Sequence, residues 1–447
     1  MKKILTLLAG LTAIAMVACK PEGGKNASSD SISVAPESFT AVPYTGETYT
    51  VTVKASGNYT ATPNVTWITV DGTTITVAES DVYEARNGEV VFTCGTATAK
   101  VTISQEAAPK PVEYTPLTSG PANCYIIDEA GNYSFDGTVI GNGDEGNLSS
   151  FGIASTKIAP TGVKLVWEEA EGLITNLKLQ DGKVCFTTAQ KDGNAVIAVV
   201  DNDKNVLWSW HIWSAEAPND VKCNDDFTLM DRNLGATLTT GTESNGLYYQ
   251  WGRKDPFSAI IAFDSGLGEG HYHPVVGGGD DKTNTTIHSM AYAIAHPAEY
   301  ITDTDPAERE QNWCAEVNHL HWGIDFEADG ELRKFPEHKT IFDPCPDGYC
   351  VASASCFWFG WNTEGGYTVN AGVVTLFGGK ITVPAAGFIY TGGYGWYDAD
   401  GAGWGGLWAC SSSWDATKHG FRLSSKPGDP NSHNGTAAAH PVRCMKI

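Results

Sequence analysis

The chain has 447 residues, of which 18% are charged and 11% are aromatic, and its formal net charge at pH 7 is −23. This length predicts two to four domains, and the aromatic content together with 49 glycines excludes a disordered chain and favours short strands joined by tight turns. The negative charge argues against nucleic acid and anionic lipid headgroups as partners, whereas neutral glycans, cationic partners or calcium are compatible with it.

The amino terminus has the pattern of a lipoprotein signal. Lys2 and Lys3 precede an apolar run over residues 4–17, and a small residue, Ala18, stands directly before Cys19. The run is short for a membrane span, so residues 1–18 are predicted to be a signal peptide. Acylation of Cys19 would anchor a mature chain whose net charge is about −25. The predicted location is the outer membrane of a Gram-negative bacterium, at the cell surface, with membrane contact through the lipid anchor only.

A tether and a first β domain come after the anchor. Residues 19–30 are rich in glycine, serine and asparagine, which is typical of a flexible tether. Residues 31–107 contain short runs of alternating polar and apolar residues, such as 49–53 and 101–103, separated by turn residues. That pattern predicts a β-sandwich, closed by a proline-containing linker over residues 108–114.

Three strings in this unit resemble the BACON family. They are SISVAPESFT at its start, NVTWITVDG in its middle and ARNGEVVFTCGTATAKVTISQE at its end. The Trp67-Ile68 pair, the Arg86-Asn87-Gly88 turn and the terminal Ser104-Gln105 stand where the family pattern expects them. The resemblance implies an immunoglobulin-like sandwich of the kind found in surface lipoproteins of the Bacteroidota. It also implies a spacer role, so the unit is predicted to be a stalk.

Residues 115–225 form a second β-rich region. The strand candidates, separated by Gly- and Asp-rich turns, are residues 124–127, 163–167, 174–179, 184–188, 195–200 and 206–213. The last run contains three tryptophans, which are predicted to pack in a core rather than to form a binding surface. Cys185 of this region, like Cys94 of the first unit, lies within an apolar strand, and both are predicted to be buried free thiols. The sequence leaves open whether residues 115–225 fold alone or together with the C-terminal region.

Residues 226–447 are rich in glycine and tryptophan and show weak periodicity, with one helix predicted around residues 286–295, ended by Pro297. Their strings LMDRNLGA, GLYYQWGRKDPF, FDPCPDGY, VPAAGFIY and the closing HPVRCMKI resemble the FISUMP-type domain of secreted Bacteroidota proteins. The resemblance implies an α+β, C-type-lectin-like domain with long loops and, by position, a disulfide between Cys345 and Cys444. Tyr349 replaces the usual tryptophan and Cys350 the usual arginine, so a different local pairing stays open.

No motif indicates catalysis, because neither GxSxG nor HExxH occurs in the sequence, and an enzyme is not predicted. On a strand, His271-Tyr272-His273 or His319-Leu320-His321 would bring two imidazoles together, but a third ligand at recognisable spacing is missing, so no metal site is predicted. Asp429-Pro430-Asn431 resembles the calcium-binding triplet of sugar-binding C-type lectins. In those lectins a Trp-Asn-Asp strand comes after the triplet. In this sequence the only match is Trp414-Asp415, which comes before the triplet. No cofactor is therefore predicted, with calcium as the alternative.

Aromatic residues cluster with glycines and two aspartates in residues 388–414. Sugar rings stack their C–H faces on indole and phenol rings, while carboxylates bond to the hydroxyl groups, and glycines allow the tight turns that hold such rings near the surface. The alternative is that these rings form a core beneath the loops. The predicted ligand-binding residues are Tyr394, Trp396, Tyr397, Asp398 and Trp404.

The function predicted from the sequence is that of a cell-surface lipoprotein whose C-terminal head binds a glycan or another surface component. The alternative is a structural or accessory subunit of a pilus-like assembly, which requires a donor strand or a groove for one.

Overall fold

The computed structural model describes residues 29–447 except 118–119, 143–147, 149–151, 190–191, 259, 264–269, 273–282, 303–311, 316–320, 324–338, 363–367, 371–372, 385, 391–393, 397–405, 413–418 and 425–430. The chain is mainly β, as predicted, and it divides into two compact units, Met1–Val112 and Glu113–Ile447. Among the residues just defined, no helix is long and apolar enough to cross a membrane.

The first unit is built from short strands around one apolar core. Its strands are β1 (Ile32–Ala35), β2 (Ser38–Val42), β3 (Glu47–Thr50), β4 (Thr52–Ala55), β5 (Thr60–Pro63), β6 (Ile68–Asp71), β7 (Thr74–Val77), β8 (Arg86–Cys94) and β9 (Ala97–Gln105). They form the sheets β2-β9-β8-β5 and β3-β7-β6 and the pair β1-β4. The predicted β-sandwich is confirmed.

Alternation places the apolar residues of β8 and β9 in that core. Val90 and Phe92 on β8, and Val101 and Ile103 on β9, are fully buried, because residues two apart in a strand point to the same face. At the far end of this hairpin the Arg86 guanidinium lies 4.4 Å from the centre of the Trp67 ring and donates to Gln105 Oε1 at 2.7 Å. These contacts close the end of the sandwich.

The second unit begins with two four-stranded sheets. Its first strands are β10 (Thr115–Pro116), β11 (Cys124–Ile127), β12 (Gly131–Asp136), β13 (Gly162–Glu168), β14 (Ile174–Gln180), β15 (Lys183–Thr188), β16 (Gly193–Val200) and β17 (Val206–Ser214). The sheet orders are β10-β12-β15-β14 and β11-β17-β16-β13. Every strand predicted here is present within two residues of its predicted ends, whereas β10 and β12 were not predicted.

The turn between β14 and β15 sets the register of the first of these sheets. Asp181 and Gly182 both have positive φ angles, 52° and 76°. Two such residues between antiparallel strands make a type I′ turn, whose twist matches that of the strands. The turn places Lys183 opposite Gln180 of β14, and on the other side of β15 the same Lys183 pairs with Asp136 of β12.

The rest of the second unit consists of small sheets and two helices. The strands are β18 (Asp220–Lys222), β19 (Thr228–Met230), β20 (Tyr248–Gln250), β21 (Ile260–Phe263), β22 (Gly270–Tyr272), β23 (Thr283–Asn284), β24 (Tyr300–Ile301), β25 (Tyr349–Val351), β26 (Thr368–Asn370), β27 (Val373–Leu376), β28 (Ile381–Val383), β29 (Phe388–Tyr390), β30 (Tyr394–Trp396), β31 (Gly406–Ser412), β32 (His419–Ser424), β33 (Asn431–Gly435), β34 (Ala439–Pro441) and β35 (Cys444–Lys446). The helices are α1 (Met290–Ala295) and α2 (Ala354–Asn362), with a 3-10 turn at Thr242–Ser244.

Both helices differ from the sequence prediction. The helix expected from residue 286 begins only at Met290, because the Ser289 hydroxyl caps its first turn by accepting a hydrogen bond from the Tyr292 backbone N–H at 3.2 Å. Helix α2 was not predicted. It contains four aromatic residues, which have a low intrinsic preference for helices, and Gly360, which has a lower one.

Residues 115–225 share their core with the remainder of the second unit. One continuous apolar cluster runs from Ala122 to Cys444, with the three tryptophans of β17 fully buried inside it, as predicted. The Asn123 side-chain amide donates to the backbone carbonyls of Ile341 (2.7 Å) and Asp343 (2.9 Å). These contacts show that residues 115–225 and the C-terminal region form a single body, a point that the sequence alone left open.

His211, on β17, is held in its neutral form within this core. Its Nε2–H donates to Asn194 Oδ1 at 2.9 Å, since the Asn194 amide nitrogen already donates elsewhere, and its Nδ1 lies 3.4 Å from the Tyr249 hydroxyl. Burial lowers the pKa of His211 from 6.5 to about 3. The charged imidazolium is therefore strongly disfavoured in the folded state.

We expect acid to destabilise the second unit through this residue. Between pH 6.5 and about 3 the unfolded chain binds a proton at His211 that the folded chain does not, so the free energy of unfolding falls as the pH falls, by up to about 1.4 kcal/mol per pH unit. Denaturant titrations from pH 7 to 4 of the native chain and of His211→Gln check this. The variant should show the shallower pH dependence, and identical slopes would contradict it.

Candidate functional site

The predicted ligand-binding residues fall largely outside the described part of the chain. Tyr397, Asp398 and Trp404 lie outside it, as do Cys19 and the first two residues of the Asp429-Pro430-Asn431 triplet. The backbone of Tyr394–Trp396 is described as strand β30, which pairs with β29 so that Trp396 stands opposite Phe388. The assignment of these residues as a ligand site stays a prediction.

Cys345 and Cys444 form a disulfide with a Cα–Cα distance of 5.9 Å, the pairing that the lectin-like resemblance implied. Cys444 opens β35, which lies between β19 and β25 in one sheet, so the disulfide joins Cys345 to a buried inner strand. A disulfide between residues 99 positions apart lowers the conformational entropy of the unfolded chain and thereby stabilises the folded one. Cys94 and Cys185 are buried free thiols, as predicted.

The histidine motifs do not assemble a metal site in the described residues. His321 is buried among the rings of Trp251, Trp313 and Phe342, at centroid distances of 5.9 to 6.1 Å, which is a packing role. His273 and His319 lie outside the described residues. Within the ranges given above, no three His, Cys, Asp or Glu side chains are grouped so that they could hold a metal ion.

Two buried cations of the second unit serve the fold. The Arg443 guanidinium donates twice to Asn233 Oδ1, at 2.8 and 3.0 Å, and its burial lowers its pKa to about 10. Lys254 Nζ lies 2.6 Å from Asp255 Oδ1 and 4.5 Å from the centre of the Trp208 ring, and burial lowers the pKa of this amine as well. Both groups are enclosed and partnered, so neither is presented to a ligand.

Helix α2 presents an aromatic surface to solvent. The side chains of Trp358 and Phe359 are 48% and 43% exposed. Trp361 is partly buried, and its ring centre lies 5.4 Å from that of Trp358 at an interplanar angle of 60°. The Asn362 amide donates to the Trp358 carbonyl at 2.9 Å and is itself exposed. We call Trp358, Phe359, Trp361 and Asn362 the α2 aromatic face.

The opposite side of α2 explains why these rings stay at the surface. Cys356, Phe357 and Gly360 are buried against a second apolar core, so the helix cannot turn Trp358 and Phe359 inward as well. A Cβ at Gly360 would lie 2.9 Å from the Phe377 ring, which means that only glycine allows this close approach. Phe359 is supported from the side by the Phe227 ring, 5.8 Å away.

The α2 aromatic face is a site that the sequence prediction missed. The signal was present as FWFGW over residues 357–361, in which Trp358 and Trp361 are three positions apart. On a helix that spacing puts both rings on one face, whereas on a strand it would separate them. Without the helix assignment, the string looks like one more buried strand.

A cleft of about 260 Å³ lies at the edge of β12. Its walls are Pro116, Gly120, Pro121, Tyr125, Ser134, Phe135, Asp136, Val139 and Lys183. Within the described residues, β10 pairs with only Tyr133 and Ser134 of β12, and the cleft lies beside the residues that come next on that strand. We call this the β12 cleft.

These features define a two-unit, mainly β protein. Within its first unit, residues 57–106 match the model of the BACON family, described as "Putative binding domain, N-terminal". This match confirms the predicted BACON resemblance of the first unit. No curated protein is similar enough in sequence to match the chain. The lectin-like identity of residues 226–447 stays a prediction.

Solved structures with partial likeness include a Bacteroides ovatus GH5 xyloglucanase in complex with a heptasaccharide, at 18% identity and a TM-score of 0.17, covering 21% of this chain and 22% of that one. A titin fragment of three Ig domains matches at 11% identity and a TM-score of 0.18, covering 43% and 68% of the two chains. Dscam1 isoform 6.9 matches at 9% identity and a TM-score of 0.19, covering 43% of this chain and 48% of that one. Likenesses of this size carry no functional conclusion.

Proposed function

We propose that this chain is a lipid-anchored surface protein whose second unit binds a neutral glycan through the α2 aromatic face. The observation that carries the proposal is the exposure of Trp358 and Phe359 on a helix whose other side is fixed in a core. Large exposed aromatic side chains that lie together on a globular protein are typical of binding sites.

The charge of the helix favours a neutral ligand. None of the nine residues of α2 is charged, although the whole chain has a net charge of −23. A cationic partner would be drawn to the acidic surface elsewhere, and an anionic one would be repelled by it. A neutral sugar is recognised by ring stacking and by hydrogen bonds, which the Trp358 and Phe359 rings and the Asn362 amide can supply.

The position of α2 connects this surface with the segment that the sequence singled out. The helix neighbours β31 and β32, and β31 (Gly406–Ser412) belongs to the aromatic and glycine-rich residues 388–414. We propose that Tyr394, Trp396, Tyr397, Asp398 and Trp404 extend the same binding surface. A glycan chain contacts several rings in succession, so an extended surface suits it better than a single ring does.

The second unit holds this surface rigidly. The Cys345–Cys444 disulfide and the buried pairing of β35 between β19 and β25 fix the framework, and Gly360 fixes α2 on its core. A site whose side chains are already in place loses less conformational entropy on binding, which raises affinity for a given set of contacts. No catalytic step is proposed.

Substitution of the central ring tests the glycan proposal. We expect Trp358→Ala to weaken binding of the glycans that the native chain retains on an array by at least about tenfold, because aromatic anchors carry most of the energy of such sites. Titration calorimetry with the best array ligand gives the two affinities. Leu238→Ala is the matched control, since Leu238 is a 51% exposed apolar residue of the same unit outside α2.

Undiminished affinity of the Trp358→Ala variant would show that the ligand binds elsewhere. If the native chain retained no glycan and was instead recovered with a surface filament, the structural alternative would replace the proposal.

Anchoring is the second part of the proposal, with Cys19 acylated, residues 19–30 as tether and the BACON unit as stalk. We expect cells that express the native chain to incorporate labelled palmitate into it and to retain it in the membrane fraction, because acyl chains bury many methylene groups in the bilayer. Cys19→Ser should remove both properties, while Cys94→Ser, which alters a buried thiol, should keep them. An unlabelled native chain would contradict the anchor.

A further inference from the structure

The β12 cleft has a lining unlike that of the α2 aromatic face. Tyr125 and Phe135 stack on each other at 4.5 Å but are only 2% and 5% exposed, so they offer ring edges and no open face. With Pro116, Pro121 and Val139 they make an apolar recess. The recess therefore offers no open ring face on which a sugar could stack, but its apolar walls can bury an aliphatic group.

Two opposite charges stand at this recess without neutralising each other. Asp136 and Lys183 are directly opposite in the β12–β15 pair, which puts their Cβ atoms about 5 Å apart. Asp136 Oδ1 accepts from the Thr138 N–H (2.8 Å) and hydroxyl (2.6 Å), which orients its carboxylate. In the described part of the chain the Lys183 ammonium forms neither a hydrogen bond nor an ion pair.

A third charged group lies beside the cleft. A Cβ at Gly120 would be 3.2 Å from Asp347 Oδ2, so this carboxylate borders the wall that Gly120 forms. Asp136 and Lys183 thus line the apolar recess, and the Asp347 carboxylate lies beside its Gly120 wall without lining it. At about 260 Å³ it is smaller than the sites that hold drug-sized ligands, and it suits a small molecule.

We propose that the β12 cleft binds a small zwitterion with an aliphatic side chain, of the α-amino acid or dipeptide type. The ligand's carboxylate pairs with Lys183, its ammonium pairs with Asp136, and its side chain enters the recess between Pro116, Pro121 and Val139. Both ionic contacts are needed, because a ligand that carries only one charge would leave either Lys183 or Asp136 without an ionic partner. This site is independent of the α2 aromatic face and of the glycan proposal.

The test compares L-leucine with its two charge-blocked derivatives in NMR titrations of the mature chain bearing Cys19→Ser. L-leucine should bind saturably. N-acetyl-L-leucine lacks the cation and L-leucinamide lacks the anion, so each should bind about threefold to fivefold more weakly or not at all. Glucose is included as a neutral ligand and should not bind.

Two variants assign the contacts. Lys183→Gln and Asp136→Asn should each weaken L-leucine by about threefold to fivefold, and Asp136→Asn keeps the Oδ1 acceptor that Thr138 uses. Lys164→Gln, an exposed strand lysine of the same unit, should leave the affinity unchanged. The proposal is overturned if the native chain shows no saturable leucine binding, if the three leucine compounds bind equally, or if glucose binds in their place. Glycan binding by the same samples is scored separately, so the two proposals can fail independently.

Discussion

Strand β17 is the element on which the second unit depends. It is an inner strand of its sheet, between β11 and β16, and its tryptophans are buried on both faces. Its Ser209 hydroxyl donates to Asp255 at 2.6 Å, and its Trp213 indole N–H donates to the Ala236 carbonyl at 3.2 Å. These polar groups find their partners only in residues beyond 225. An unpartnered buried polar group costs free energy, so each contact requires both regions to be folded together.

That dependence places the two candidate sites on one rigid body. The β12 cleft lies in the first sheet of the unit and the α2 aromatic face on its second core. The disulfide and the C-terminal strand β35 connect the two cores, because Met445 packs in the second core and the neighbouring Cys444 packs in the main core. Neither site therefore needs a large rearrangement before a ligand can bind, and the affinities should depend on the local contacts.

The sequence predicted those parts of the fold that alternation and turn residues specify locally. The sandwich of residues 31–107, the strands from Cys124 to Ser214 other than β12, and the burial of the β17 tryptophans are all specified by patterns within a few residues. The unity of residues 113–447 was not predictable in this way, because it depends on contacts such as that between Asn123 and Ile341, 218 positions apart. Helix α2 was missed for a similar reason. Its aromatic residues disfavour a helix locally, and the packing of Gly360 on Phe377 decides the outcome.

The most direct test of this account is to express residues 113–225 alone and to compare them with residues 113–447 by near-ultraviolet circular dichroism during heating. The shared core predicts that the longer fragment has a strong tryptophan signal that is lost cooperatively. The shorter one should have no fixed tertiary signal, because β17 would lose the partners of both its apolar and its polar groups. A shorter fragment that melted cooperatively with its own tryptophan signal would contradict the claim that the two regions form one body.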